Sequence, residues 1–356
     1  MENPRLIMPG DLLRVGQDPR RLDRMAHRNV LTRVRRGAYV ESKEWEALGA
    51  IARHGLSVEA FARTTATPPV LCRQSAALLW GLWVVGTPQD VHVLTTKDSG
   101  GRSRNGIRRH LGSLDQGVCA IGPVLVTDKL RTTIELIITL PFMYAVAICD
   151  SSLRPPEGAQ AWMNVFAAPG TVTAGHEPLV WDTERPQGFA LEVEDLLAAA
   201  EELPNQAART RAKTVITFSS GRAESAGESI SRAQMHLLGF PAPELQHKFV
   251  LRNGRDSRSD FYFKEYRVAG EFDGLGKYLR ADWAKGAILQ ERIMAEKKRE
   301  DEIRAQCGGF ARWTWSEMMN TRMLERILHD AGLPSRQPNE RRRNEKCARF
   351  PFSPPV

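Results

Sequence analysis

The sequence has little that would cross-link, anchor or metallate it. Its 356 residues include five cysteines, Cys72, Cys119, Cys149, Cys307 and Cys347. The number is odd, the spacings are wide and no CxxC occurs. This argues against a disulfide scaffold or zinc ribbon and makes a reducing cytoplasm the expected setting. No apolar run is long enough to span a bilayer: Leu136 to Cys149 is broken by Pro141 and falls short of the ~20 residues required. The opening MENPRLIMPGDLL lacks the apolar core of a signal peptide. The eight histidines (27, 54, 92, 110, 176, 236, 247, 329) form no HExxH and no ligand-like pair. No GxSxG occurs, and neither glycine-bearing loop, DSGGRSRNG or GSLDQG, continues into GK[ST]. Nucleophilic hydrolase and P-loop chemistry therefore lack their residues. There is no internal repeat.

What remains is a folded, basic chain. The composition is 42% hydrophobic and 26% charged, which suits a globular protein, and the length suggests two or three domains. Lys and Arg number 50 against 42 Asp and Glu, a formal charge of +8, so polyanions are compatible partners. Membrane association is not expected. The charge is uneven: residues 1–43 carry ten basic and five acidic residues.

Residues 1–43 read as helix, turn, helix and hairpin. Pro9-Gly10-Asp11 starts a short helix through Val15. Gly16 breaks it, and Asp18-Pro19 restart it as N-cap and first helical position. The next helix, Arg20 to Arg28, carries Arg20, Arg21, Arg24 and Arg28. VLTRVRRGAYV (30–40) alternates about Gly37 as a β-wing does, presenting Arg33, Arg35 and Arg36. A winged helix-turn-helix sets one helix in the major groove while Lys and Arg touch phosphates, so these seven arginines are the candidate DNA-binding set. The alternative is a solvated basic surface.

Residues 44–154 read as a small α+β block: a helix over 44–64, an apolar helix over 71–82, and strands at 91–95, 107–111 and 118–126. A helix capped by Thr127 follows, and Pro141 opens another that ends near Arg154. Residues 155–221 form a Pro-, Gly- and Ala-rich linker or insertion followed by two connecting helices, 191–203 and 205–218. Residues 222–331 run α-β-β-β-α-β-α, with strands 244–252, 257–263 and 267–272, a charged helix over 283–307, a strand from Phe310 to Trp315 and a closing helix capped by Ser316. Residues 332–356 form a disordered basic tail.

The third block carries the candidate chemistry. Asp260 stands in SDFYF. Glu271 and Asp273 stand in AGEFDGLGKY, two apart on one strand and therefore on one face. Glu228 lies on the preceding helix. Oxygen ligands converging at strand ends hold Mg²⁺, and Lys277 is placed to stabilise developing negative charge. The ordinary alternative is solvated acids beside an Asp-Gly turn. In ERIMAEKKREDEIR, Glu296 and Glu300 find i,i+4 partners above Ile293, Met294 and Ile303. Phosphate contact by Lys297 or Lys298 is the less favoured reading. Trp313 and Trp315 read as packing residues.

These phrases resemble two known groups. RVRRGAYV, QSAALLWGL with its VHV strand, and VLVTDKLRTTIEL resemble actinobacterial AbiEi-type antitoxins of type IV toxin–antitoxin systems over residues 5–154. AESAGESISRAQMHLLGFPAPELQ, SDFYF, AGEFDGLGKY and EKKREDEIRAQCGGFARWTW resemble the DUF559 and very-short-patch-repair-like branch of the restriction-endonuclease-like fold over residues 222–331. The first resemblance implies a winged helix that binds operator DNA in autoregulation, and a cognate toxin as partner. The second implies a PD-(D/E)xK core with Asp260 and Glu271 as its acidic pair, Glu228 as the helix glutamate and Mg²⁺ as the metal. Asp273 stands where that core expects lysine, and Lys277 is the substitute from a shifted position. The expectation is an α+β multidomain protein that binds double-stranded DNA and carries a nuclease-like domain. An active Mg²⁺-dependent endonuclease and a protein-interaction module without DNA binding are the alternatives.

Overall fold

The computed structural model describes residues 4–86, 88–96, 105–121, 124–155, 188–274 and 286–335. Over 286–293 the description is of the backbone alone. Lys277, Cys347, residues 156–187 of the expected linker and the tail from 336 onward lie outside the described residues. The chain is a mixed α+β protein divided into two compact units. The first is Met1–Leu136 with Arg154–Glu201, and the second is Ile137–Leu153 with Glu202–Val356.

The first unit begins with α1 (Pro9–Arg14), α2 (Arg20–His27), β1 (Leu31–Arg35) and β2 (Ala38–Glu41). Asp18 Oδ1 accepts the Arg20 N–H at 2.9 Å where α2 starts. β1 and β2 form an antiparallel hairpin turning at Gly37, φ 84°, a left-handed value that suits glycine. Ile7 adds a bridge to Tyr39. Leu22, Leu31 and Tyr39 form the core beneath, with Ile7, Leu12, Met25 and Ala26 packed against it. The helix expected over 44–64 is two, α3 (Ser42–Ala47) and α4 (Ala50–Thr64). Leu48 and Gly49 between them are extended, ψ 138° and 162°, at a glycine that helices disfavour.

A five-stranded mixed sheet follows, of β3 (Val70–Leu71), β4 (Val91–Thr95), β5 (Ile107–Leu111), β6 (Val118–Ile121) and β7 (Val124–Thr127), in the order β5-β4-β3-β7-β6. The apolar helix read from residue 71 is shorter, α5 (Arg73–Leu79), because Leu71 pairs with both Val93 and Val126. The strand read over 118–126 is the antiparallel pair β6–β7. α6 (Lys129–Ile137) is capped by Asp128, whose Oδ1 accepts the Arg131 N–H at 2.7 Å. Thr127, the expected cap, pairs its hydroxyl with that of Thr132 instead. The chain then contributes α7 (Phe142–Ser152) to the second unit and returns for α8 (Val193–Glu201).

The second unit adds α9 (Gln206–Phe218), α10 (Ala226–Leu237), β8 (Glu244–Val250), β9 (Asp256–Phe263), β10 (Val268–Asp273), α11 (Gly286–Arg304), β11 (Gly309–Thr314), α12 (Trp315–Met319) and α13 (Thr321–Asp330). The expected α-β-β-β-α-β order is present. β8, β9 and β10 form an antiparallel meander, and β11 joins β10 in parallel after α11, giving the order β11-β10-β9-β8. A parallel neighbour requires such a crossover. One sheet face packs Phe261 against Trp313, and Trp313 Nε1 donates to Ser231 Oγ of α10 at 2.8 Å. The other face packs Phe249 and Ala269 with Ile303 of α11. Trp313 is thus a core residue, as read. Trp315, read as the end of that strand, opens α12, and Thr314 with Glu317 forms the capping box where Ser316 was expected to cap. Met294, expected beneath α11, is exposed. The side chain of Ile293 lies outside the description.

Beneath the helices, Asp150 of α7 is fully buried and takes Arg232 Nη2 of α10 on both oxygens, at 3.0 and 2.8 Å. Ser229 Oγ and the Ser220 N–H complete its acceptor sites, each at 2.7 Å. A buried charge is tolerable only when paired and hydrogen-bonded in this way.

Candidate nucleic-acid interface and carboxylate cluster

In the first unit, α2 is amphipathic. Leu22, Met25 and Ala26 face the small core. Helical periodicity then places Arg20, Arg24 and His27 on the opposite side, with Arg21 and Arg28 flanking them. All four arginines are exposed. Their restraints are weak surface contacts: Arg24 with Asp18 at 3.2 Å and Arg21 with Gln17 at 3.4 Å. On the hairpin, Arg33 and Arg36 are exposed, and Arg33 stands 4.0 Å from Asp23, which is held by the Tyr39 hydroxyl at 2.6 Å.

Arg35 is placed differently. The β1–β2 register shifts between Arg33 and Arg35, and such a bulge re-aims the side chain that follows it. The Arg35 guanidinium lies half-buried over the Phe61 ring, 4.7 Å from its centroid. Burial, and then the charge of Arg109, lower its pKa. Six of the seven arginines are therefore exposed, and the seventh packs inward.

In the second unit, the β9–β10 ladder runs to Phe261 and Gly270, and the Phe272 N–H beyond it is taken by Asp260 Oδ2 at 2.8 Å. Glu228, in the first turn of α10, is buried. It accepts Ser225 Oγ at 2.8 Å, the Glu224 N–H at 2.8 Å and Gln246 Nε2 at 3.1 Å. Burial first, and then the Asp260 charge, push its pKa up to about 7. Glu228 and Asp260 therefore repel one another electrostatically.

Glu271 pairs in register with Arg312 of β11. Its Oε2 meets Arg312 Nη2 at 2.5 Å, and its Oε1 meets Arg299 Nη2 of α11 at 2.8 Å. Arg299 also holds Glu296 at 2.6 Å, and Arg312 holds Glu300 at 2.9 Å. Burial works against the charge on Arg312 and is outweighed by Glu271, Glu300 and Asp273, so its pKa rises. Asp273 therefore belongs electrostatically to this arginine network. Lys277 lies outside the described residues, while Lys297 and Lys298 are exposed on α11.

Sequence reasoning missed Arg299 and Arg312 as partners of Glu271. The one signal was an arginine alternating with apolar residues in FARWTW. It also missed a histidine pair in the first unit. His92 Nδ1 and His110 Nε2 are 2.9 Å apart with stacked rings, and burial above all lowers both pKa values, to about 3 and about 4.

The Mg²⁺ that the nuclease resemblance implies is not matched by these residues as they stand. Both oxygens of Glu271 are bound by arginines, and Glu228 is occupied by three protein donors. Among the described residues, no group of three or more His, Cys, Asp or Glu is arranged to hold a metal. Nor is any described helix long and apolar enough to cross a membrane.

No family model matches the chain. A stretch of 106 residues is 36% identical to uncharacterized proteins from two Mycobacterium tuberculosis strains, CDC 1551 / Oshkosh and ATCC 25618 / H37Rv. The match covers 26% of this chain and 39% of each relative.

Proposed function

We propose that the protein binds double-stranded DNA through α2 and the β1–β2 hairpin, as an AbiEi-like transcriptional regulator does, and that the second unit is a nuclease-like domain serving it. The observation carrying this is the division of α2 into a buried apolar side and an exposed side bearing Arg20, Arg21, Arg24 and Arg28. Exposed guanidinium groups on a helix and an adjoining hairpin neutralise phosphates on either side of a groove. A cognate toxin, the partner implied by the antitoxin resemblance, belongs to the same proposal.

The order of the sheet and the Glu228–Asp260 pair favour a restriction-endonuclease-like ancestry for the second unit. The arginine-bound state of Glu271 favours binding over hydrolysis, so we derive no hydrolytic step.

The test is a binding titration on duplex DNA over a salt series. Wild type should lose affinity steeply with salt, and an Arg20→Ala/Arg24→Ala/Arg28→Ala variant should flatten the log–log slope by about 0.9 for each phosphate contact removed. Equal slopes for the two proteins would sink the assignment to α2. A plasmid incubation with Mg²⁺ or Mn²⁺, beside Asp260→Ala/Glu271→Ala, covers the other reading. Cleavage lost in that variant would make the protein an endonuclease.

A further inference from the structure

The second unit contains a cavity of about 340 Å³ between the end of α9, the last turn of α10 and the segment leading into β8. Its volume lies within the range of small-molecule sites. The rings of Phe218 and His236 lie 4.8 Å apart along one side, and the Arg232 guanidinium stacks 4.4 Å above Phe218. Phe240, itself buried, lines the cavity together with Pro241.

The lining points to an anionic, flat occupant. Arg222 lines the cavity, is exposed and forms no ion pair among the described residues, while Glu244, the carboxylate of the lining, stands 3.1 Å from His247 Nδ1. The charge of Arg232 is spent on Asp150 and on the Phe218 carbonyl, so Arg232 contributes its stacking on Phe218 and not a free cation. Aromatic and guanidinium faces stack on nucleobases with little regard to sequence, and an arginine without a carboxylate matches a phosphate.

We propose that this cavity binds one nucleotide, the base against Phe218, His236 and Phe240 and the phosphate on Arg222. The proposal rests on the nucleic-acid reading above for its class of ligand. The nucleotide is either free or a base swung out of a DNA strand, as enzymes acting on bases take them.

The experiment uses the full chain. Equilibrium dialysis with each deoxynucleoside monophosphate compares wild type, Arg222→Glu and Arg252→Glu, the last being an exposed arginine that does not line the cavity. In parallel, duplex DNA carrying 5-iododeoxyuridine is photocrosslinked and the adducts are mapped by mass spectrometry. The expected result is mononucleotide binding weakened about tenfold in Arg222→Glu, the scale of one charge-assisted contact, and unchanged in Arg252→Glu. Crosslinks within 218–245 identify the base as part of a strand. Mononucleotide binding without them identifies a free nucleotide. Duplex binding that depends on α2, with neither mononucleotide binding nor such crosslinks, overturns the cavity assignment and leaves the DNA reading intact. Equal losses in the two arginine variants also overturn it. Mononucleotide binding without any duplex binding overturns the DNA reading alone.

Discussion

Replacing Glu228 by glutamine should stabilise the protein above neutral pH and have a much smaller effect at pH 5. In the folded chain the Glu228 pKa is raised from 4.5 to about 7, by burial first and by Asp260 second. Between those values the native carboxyl keeps a proton that the unfolded chain has released. Stability therefore falls as pH rises through this window, opposite in sign to a salt-bridged carboxylate. At 1.36 kcal/mol per pKa unit the full loss is about 3 kcal/mol, complete above pH 7. Glutamine removes the charge and keeps the hydrogen bonds. Its oxygen can accept from the Glu224 N–H and Gln246, and its amide can donate to Ser225 Oγ, which already accepts the Glu228 N–H. The assay is urea unfolding of both proteins at half-unit steps from pH 5 to 8.5. Subtracting the two curves removes every group they share, including the buried histidines. A difference that stays flat across the range would refute the assignment of a buried, mutually repelling pair.

Two further substitutions test the packing of the second unit. Asp150→Ala should cost about 3–5 kcal/mol in chemical denaturation, because it strands the buried Arg232 guanidinium, whereas a surface arginine pair such as Arg24–Asp18 should cost under about 1 kcal/mol. Gly227→Ala places a methyl group where the Phe272 ring already sits, so the melting temperature should drop by the equivalent of about 1–3 kcal/mol. An unchanged melting temperature would mean that α10 does not lie against β10 at that point.

Most elements could be read from the sequence because each carries a local signal. The wing turns at a glycine, α9 starts at an asparagine cap, and the three meander strands alternate. Misreadings arose where structure depends on distant partners. Leu71 looks like the start of an apolar helix until β4 and β7 both pair with it. The candidate site divides the same way. Glu228 was legible as an acid on a helix, and Asp260 and Glu271 as acids on neighbouring strands. The arginines on Glu271 lie 28 and 41 residues away in sequence: Arg299 comes from the crossover helix α11, and Arg312 from a parallel pairing whose register no single strand discloses. Arg35 was misplaced for a smaller reason: one bulge residue in the hairpin reverses the alternation.

The discontinuity of the two units bears on biosynthesis. α7 is synthesised far ahead of α10, yet Ala145, Val146, Ile148 and Cys149 are fully covered in the finished fold, and Asp150 waits for Arg232, 82 residues downstream. At ribosomal speeds that interval lasts several seconds, about 4–16 s, during which an apolar helix bearing an uncompensated carboxylate stands exposed. The nascent chain therefore presents an apolar segment of defined position until its partners are made. For the same reason no single cut can separate the units cleanly, because each contains chain from both sides of the other.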